Sequence, residues 1–510
     1  MIANESIGQS RSAFRPPIIL GMMLCGAALV ANFAPSLILV PIAIGIFAYF
    51  WNRREKLVII MLLCTPFEEL LLKILPDQYY APVRYMWEGL LLAFMLAMFW
   101  EKVVLKRAWR HSVIDLPLII FVAAWFFSGM VNSRGLYMSS IYLKNLIRYI
   151  PLFYILFNLN LTSRFIRKII YLIIAMAAFQ SLVCFAEAVD SRIADIFAPK
   201  EVIVGSELVR GEDVQLGTYY TRFSGTLARN VHLGNYLAFA LCLLAALWAS
   251  RHRAKWIIWA LAIITTALFL SSSRISWISA FAGVATILFV SKSRRRFVFL
   301  TVPLILMALV LAGGYLNATG NLARDFNILN RFYYIFSADY IETISNIGRL
   351  YTIFYAVPAV AISNPILGIG PGSFMRISEQ VSSDDAYGRA AELGLNAMGL
   401  NFVHDVGYAA LFIQVGIIGL TTLLWLFIRV FRAARIAYKS QIRPELNYLL
   451  LGFIGVIAAL AVQNIASFNL MYRNQSLVIW VLCGLTASAA ISGKSRVIAD
   501  DAPASKDGAQ

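Results

Sequence analysis

The chain has 510 residues and carries 44 Lys+Arg against 27 Asp+Glu, a formal charge of +17, yet only 14% of its residues are charged and 60% are hydrophobic. Soluble domains carry roughly 25% charged residues, and nucleic-acid binders gather their basic side chains on one wetted face, so this composition excludes both classes. Short basic clusters set between long apolar runs describe an all-α polytopic membrane protein whose charge reports orientation.

Apolar stretches punctuated by turns and charges predict spans at 17–33, 35–51, 57–74, 84–100, 113–130, 146–160, 169–187, 233–250, 256–270, 275–291, 297–316, 405–428, 446–466 and 475–492, about 12–14 in all. Residues 1–16 are polar, and no small-residue cleavage pattern follows them, so no cleavable signal peptide is expected. The basic clusters recur with one parity: Arg11/Arg15, Arg53/Arg54/Lys56, Lys102/Lys106/Arg107/Arg110, Arg164/Arg167/Lys168, Arg251/Arg253/Lys255, Lys292/Arg294/Arg295/Arg296, the arginines from Arg429 to Arg443 with Lys439, and Lys494/Arg496/Lys506. Short cytoplasmic loops collect Lys and Arg. This parity therefore puts both termini in the cytoplasm and leaves the opposite face close to neutral.

Two outward-facing segments are long, 188–232 and 317–404, and both contain apolar and aromatic residues, so ordered structure is expected in them. A helix near Leu350 to Ile362 is too short to span and is expected to lie at the interface or to re-enter. The tail 493–510 is polar and is expected to be disordered. No repeat of 20–50 residues is apparent, which weighs against a transporter built from inverted repeats. All five cysteines, Cys25, Cys64, Cys184, Cys242 and Cys483, lie inside apolar runs and read as small buried hydrophobes.

Chemistry is sparse on the exterior face. His111 and His252 sit in basic cytoplasmic loops, whereas His232 and His404 face outward. His404 opens an apolar segment at the membrane boundary, where neutral imidazole can take a proton from a hydroxyl and Asp405 could raise its basicity. Arg222 precedes the span beginning at Leu233, and Arg274 occupies a very short exterior turn. Guanidinium is permanently charged and matches phosphate oxygens with paired donors, so two interfacial arginines suit a lipid diphosphate as well as ordinary headgroups. Lys144 and Arg148 share a helical face and either add positive potential or pair with Glu88 or Glu187. Arg349, in the second long loop, could also face substrate. The glycine-rich stretch Asn364 to Phe374 lacks the lysine of a phosphate-binding loop and reads as a set of tight turns. Asp384-Asp385 read as solvated loop carboxylates, and no zinc motif is present, so neither metal nor cofactor is expected.

Arg222-Phe-Ser-Gly-Thr, Ser272-Ser-Arg274-Ile-Ser-Trp277, Gly348-Arg349, the stretch Asn364 to Phe374, His404 and Gly416-Ile-Ile-Gly419 together resemble the O-antigen ligase and polymerase family of bacterial membrane glycosyltransferases, over residues 222–419. The resemblance implies a GT-C-like architecture in the inner membrane with an active site facing the periplasm. The implied donor is a glycan on undecaprenyl diphosphate. The acceptor is a sugar hydroxyl, on another glycan or on lipid A core, with membrane lipids and a chain-length regulator as further partners. Arg222 and Arg274 would hold the diphosphate, and His404 would act as general base in a metal-independent, inverting transfer, with Arg349, Asp405, Lys144 and Arg148 as accessory residues. Ligase-like members often follow their histidine with Asn, Ser or Gln; here Asp405 follows His404, which leans the reading toward a polymerase with ligase as the alternative. A non-catalytic glycan transporter is the reading from another class. Glu68, Glu69, Lys73, Arg84, Glu88, Arg148 and Glu187 mostly approach the outer ends of their spans, which favours surface chemistry over translocation.

Overall fold

The structure is a computed structural model that describes residues 39–51, 53–104, 106, 111–133, 135–159, 161–190, 192–197, 201–204, 207–210, 223–250, 255–291, 349–373, 393–395, 403, 405–440 and 444–500. It is an all-α polytopic bundle. The spans expected at 17–33 and 297–316 and the paired Asp384-Asp385 lie outside the described residues, as do His252 and Cys25. One departure from helix among the described residues is an antiparallel hairpin, β1 (Glu201–Val204) with β2 (Glu207–Arg210), inside the first long segment.

In chain order the helices are α1 (Leu39–Trp51), α2 (Arg54–Cys64), α3 (Glu68–Ile74), α4 (Asp77–Val103), α5 (Asp115–Val131), α6 (Gly135–Ile147), α7 (Ile150–Asn158), α8 (Ser163–Val189) and α9 (Arg192–Phe197). They continue with α10 (Asn230–Ala249), α11 (Lys255–Leu270), α12 (Arg274–Ser291), α13 (Arg349–Ser363), α14 (Gly407–Lys439), α15 (Asn447–Gln463) and α16 (Arg473–Asp500). Among the described residues five segments are long and apolar enough to cross a membrane: Val83–Val103 of α4, and α8, α10, α12 and α14, with α5, α11, α13 and α15 as shorter apolar helices. The short helix expected near Leu350 is α13, which carries a π-helical turn at Thr352–Ala356 just ahead of Pro358. Helix α16 runs on to Asp500, into the polar tail.

Two expected spans are broken by proline. Pro66 has no amide hydrogen to donate, so 57–74 folds as α2, a 3₁₀ turn Thr65–Phe67 and α3. Pro151 separates α6 from α7, and the helical return begins at Gly135 rather than near 146, with Arg148 and Tyr149 at the kink. Cys64 departs from its expected burial and is exposed, while Cys184, Cys242 and Cys483 are buried as free thiols.

The centre is α10 packed between α12 and α15. From Leu233 to Leu247 α10 is buried all round, the signature of a helix enclosed by other helices. Small residues set the crossings: a Cβ on Gly283 would lie 2.7 Å from the Gly455 carbonyl and 2.4 Å from Cys242 Sγ. Without water to drive association, close backbone contact of this kind supplies the packing. A buried polar seam fixes the register. Asn235 donates to Asn469 (2.7 Å) and Ser467 (3.1 Å) and accepts from Ser276 (2.7 Å); Asn469 donates to Gln463 (2.6 Å), which donates to Ser279 (3.0 Å). Such amides are costly when buried alone and specifying when paired.

Helix α14 is interrupted where the sequence predicts one continuous span. Gly416 has φ +64° and ψ −162°, and the glycine-rich stretch docks against the break. The Ile369 and Gly370 amides donate to the Ile413 and Gln414 carbonyls (2.8 and 3.1 Å), and the Ile417 amide donates to the Pro365 carbonyl (3.0 Å). Ser128 of α5 reaches the carbonyls of Leu367 (2.6 Å) and Gln414 (2.9 Å), and Gln414 Oε1 accepts from the Gly372 amide (3.0 Å). A Cβ at Gly416 would sit 2.2 Å from the Ile366 oxygen. The turns expected from the glycines thus satisfy a broken helix inside the bundle, where unpaired backbone groups cost several kcal/mol each, on the order of those in bare hydrocarbon.

Candidate functional site

The site is assembled where α10, α12 and α16 begin and α15 ends. Its first wall is the turn Ser224–Arg229. Glu187, near the end of α8, accepts the amides of Ser224 and Gly225 (both 3.0 Å), while Gln180 clasps Thr226 through its amide (2.9 Å) and hydroxyl (2.6 Å). The Thr226 hydroxyl in turn reaches the Pro66 carbonyl (2.7 Å). Ala228 is then left-handed, with φ +66°, an uncommon conformation for a residue with a Cβ. Arg222 itself lies outside the described residues.

The second wall is the Ser272-Ser-Arg-Ile-Ser-Trp turn. Ser272 has φ +54°, the Asn230 amide group donates to the Ser271 carbonyl (3.0 Å), and Trp277 Nε1 donates to the Leu268 carbonyl (2.7 Å). Ser273 and Ser276 hydroxyls meet at 2.6 Å. The Ser272 hydroxyl bonds back to the Leu270 carbonyl (3.3 Å), while Ser276 ties the turn to Asn235 of α10 (2.7 Å). Arg274 is half-buried at the first position of α12. Local strain at two adjacent turns is the kind of feature retained where function requires it.

The third wall brings together residues far apart in sequence. Arg349, at the start of α13, pairs with Asp405 at 3.3 Å, and the Tyr472 hydroxyl donates to the other Asp405 oxygen at 3.1 Å. Burial, reinforced by the Asp405 charge, pushes the Tyr472 phenol well above its ordinary value, so it stays protonated as a donor. The Tyr472 ring lies 4.2 Å from the His232 ring, whose Nδ1 faces the Leu227 carbonyl at 3.3 Å. Gln475 donates to the His232 carbonyl at 2.7 Å. His404 is outside the described residues, although Val403 and Asp405 on either side of it are buried here.

Lys144 and Arg148 stand apart from this wall. Both pair with Glu88, at 3.5 and 3.2 Å, which resolves the choice of partner left open in the sequence, since Glu187 is occupied by backbone amides. Glu88 also takes Arg473 at 3.0 Å, and Arg473 reaches Glu68. Tyr472 and Arg473 are the two residues that sequence reading missed. They sit in Asn469-Leu-Met-Tyr-Arg-Asn-Gln475, which reads as a plain connector; its signal is an arginine opening an apolar run in a segment dense in amides. Beside this end of the bundle an apolar cavity of about 150 Å³ lies between α14 and α15, running from Tyr408 and Asn464 toward Phe431.

Helices of this length and apolarity, with an arginine-bearing turn and a hydrogen-bonded carboxylate at one end, define a polytopic membrane protein with a cationic polar site at the ends of its helices. Residues 259–424, about a third of the chain, match the family model described as O-antigen ligase, which supports a place in the O-antigen ligase/polymerase family. The matched segment contains Arg274, Arg349, His404, Asp405 and the Gly416 break, whereas Arg222 precedes it. No curated protein matches the chain. The matched segment supports a membrane enzyme of the O-antigen ligase/polymerase type.

Proposed function

We propose that the protein transfers a glycan from undecaprenyl diphosphate to a sugar hydroxyl of a second lipid-linked glycan on the periplasmic side of the inner membrane, as a surface-polysaccharide polymerase. The observation that carries this reading is the place of Arg274, half-buried at the first position of α12 in a turn braced by Asn230 and Trp277, within the family-matched segment. Arg222 and Arg274 hold the diphosphate oxygens. His404 takes the proton of the attacking hydroxyl as its oxygen bonds to the anomeric carbon, and the lipid diphosphate departs with the electrons of the broken C–O bond. A single displacement inverts that carbon. The arginines balance charge developing on the leaving group, and a base of this kind contributes on the order of 10²–10⁴ in rate. The cavity beside Tyr408 suits part of the isoprenoid chain.

A second reading is favoured by the printed description of the matched family, O-antigen ligase: transfer of the finished chain to lipid A core. Reconstitution with a lipid-linked repeat, alone and then with lipid A core, separates them. A ladder without core supports the polymerase, product only with core supports the ligase, and lipid movement with neither product overturns both. His404→Ala is expected to abolish transfer with expression intact. Arg222→Ala and Arg274→Ala are expected to impair donor use more than the Lys substitutions; undiminished activity in these variants removes the diphosphate assignment.

A further inference from the structure

The peptide joining Tyr472 to Arg473 divides two polar regions. Tyr472 turns to Asp405, while Arg473 binds Glu68, donates to Glu88 at 3.0 Å and to the Arg84 carbonyl at 2.7 Å. Glu88 is shared with Arg148 (3.2 Å) and Lys144 (3.5 Å), and Glu69 takes Arg84 at 3.9 Å. Among the described residues these pairs bring four cations to three carboxylates, with Glu88 divided among three of the cations. A positive charge left over away from water is costly unless an anion completes the set. The exposures are graded. Arg148 and Arg473 side chains are 7% and 11% exposed, Arg84 and Lys144 31% and 40%, and the two outer cations make the longer ion pairs, Arg84 also donating to the Tyr80 hydroxyl. Tyr149, fully buried at the α6–α7 kink next to Arg148, has a hydroxyl with no hydrogen-bond partner among the described residues. Lys144 lies 4.0 Å over the Tyr85 ring, and exposed Tyr85, Leu71 and Ile74 give the mouth an apolar rim suited to lipid.

We propose that Arg84, Lys144, Arg148 and Arg473, with the Tyr149 hydroxyl, form a second anion site that takes the diphosphate of the lipid carrying the acceptor glycan. The identity of the occupant rests on the polymerase reading, in which two lipid diphosphates are engaged at once and the donor's occupies Arg222 and Arg274. Adjacent Cα atoms are only about 3.8 Å apart, so Tyr472 and Arg473 set the two regions side by side at one end of the bundle. A donor and an acceptor, each anchored in the membrane by its own lipid, meet there across that connection.

The test is equilibrium binding of a short-chain isoprenyl diphosphate to the purified full chain in detergent. Wild type is expected to take up two equivalents, and Arg84→Gln/Lys144→Gln to keep one, the second weakened about tenfold or more. Glu69→Gln, which removes a competing carboxylate, is expected to tighten the second equivalent severalfold. A purely structural ion network predicts no gain there, so this variant decides the question even where the double variant folds poorly. One equivalent in wild type, or unaltered binding in both variants, overturns the site. Phosphatidylglycerol competing for the second equivalent as well as the diphosphate does assigns it to ordinary headgroups and overturns the acceptor assignment. Two equivalents with no glycan product from a lipid-linked repeat leaves the anion site standing and sinks the transfer reading instead.

Discussion

On one side of the Tyr472–Arg473 peptide the Asp405 carboxylate accepts from the Tyr472 phenol and pairs with Arg349, which is 38% exposed; on the other, Glu68 and Glu88 are sunk among cations. Both regions are charged and both close against the start of α16. On the Asp405 side the buried carboxylate meets a partly exposed Arg349, which a ligand can reach. The Glu88 side ties α3, α4, α6 and α16 into one unit, in which Arg473 alone bridges Glu68 and Glu88. A network of the second kind reports chiefly on stability, and one of the first kind chiefly on activity.

The largest effect expected from this contrast is at Arg473. Arg473→Met leaves Glu68 and Glu88 short of their closest cation and should cost about 3–5 kcal/mol, the range for breaking one partner out of a buried pair. Thermal unfolding of the detergent-solubilised chain measures it. A melting curve like that of wild type would erase the distinction between the two regions. Gly416→Ala comes next: the residue would have to hold φ +64° with its Cβ 2.2 Å from the Ile366 oxygen, so a loss of about 1–3 kcal/mol is expected from backbone strain alone, more if the glycine-rich stretch undocks. Proteolytic nicking between Asn364 and Ser373 would reveal that undocking.

Much of this bundle is legible in the sequence, because membrane helices must satisfy their own backbone and so appear as apolar runs. Where the expectation slipped, the cause was local or tertiary. Pro66 and Pro151 split two spans by removing amide donors, which the sequence displays but which a hydropathy window averages away. The break at Gly416 is different in kind. It lies inside an unbroken apolar run and exists because Asn364 to Ser373, over forty residues earlier in the chain, supplies its hydrogen bonds. Arg274, Arg349 and Asp405 were visible through motifs, but the pairing of Arg349 with Asp405 joins residues 56 apart and has no sequence period. Tyr472 was hidden for the same reason: a connector tyrosine gains meaning only once folding places it between Asp405 and His232.

Tyr472→Phe sharpens the contrast from the shallow side. It removes one hydrogen bond to Asp405 while leaving the ring against His232, so stability should fall by about 0.5–1.5 kcal/mol. Transfer is expected to fall more than that figure implies, because Asp405, beside His404 in the chain, loses the donor that fixes one of its oxygens. Equal losses in unfolding and in transfer would make Tyr472 a brace and nothing more.

Arg349→Lys is the smallest change and the most discriminating. The pair with Asp405 is partly exposed and 3.3 Å long, and pairs in water contribute about 0–1 kcal/mol, so unfolding should scarcely register the substitution. Lysine keeps the charge but loses the planar donor fork, which matters only where a second set of oxygens must be bound at the same time. If Arg349 serves Asp405 alone, lysine restores function. If it also reaches substrate phosphate or sugar oxygens, KM for the lipid-linked glycan rises several-fold in Arg349→Lys while the melting temperature stays put, and Arg349→Gln goes no further in stability but loses more transfer. Measuring KM and unfolding on the same preparations therefore tells whether the shallow region is held in place by its own residues or completed by what it binds.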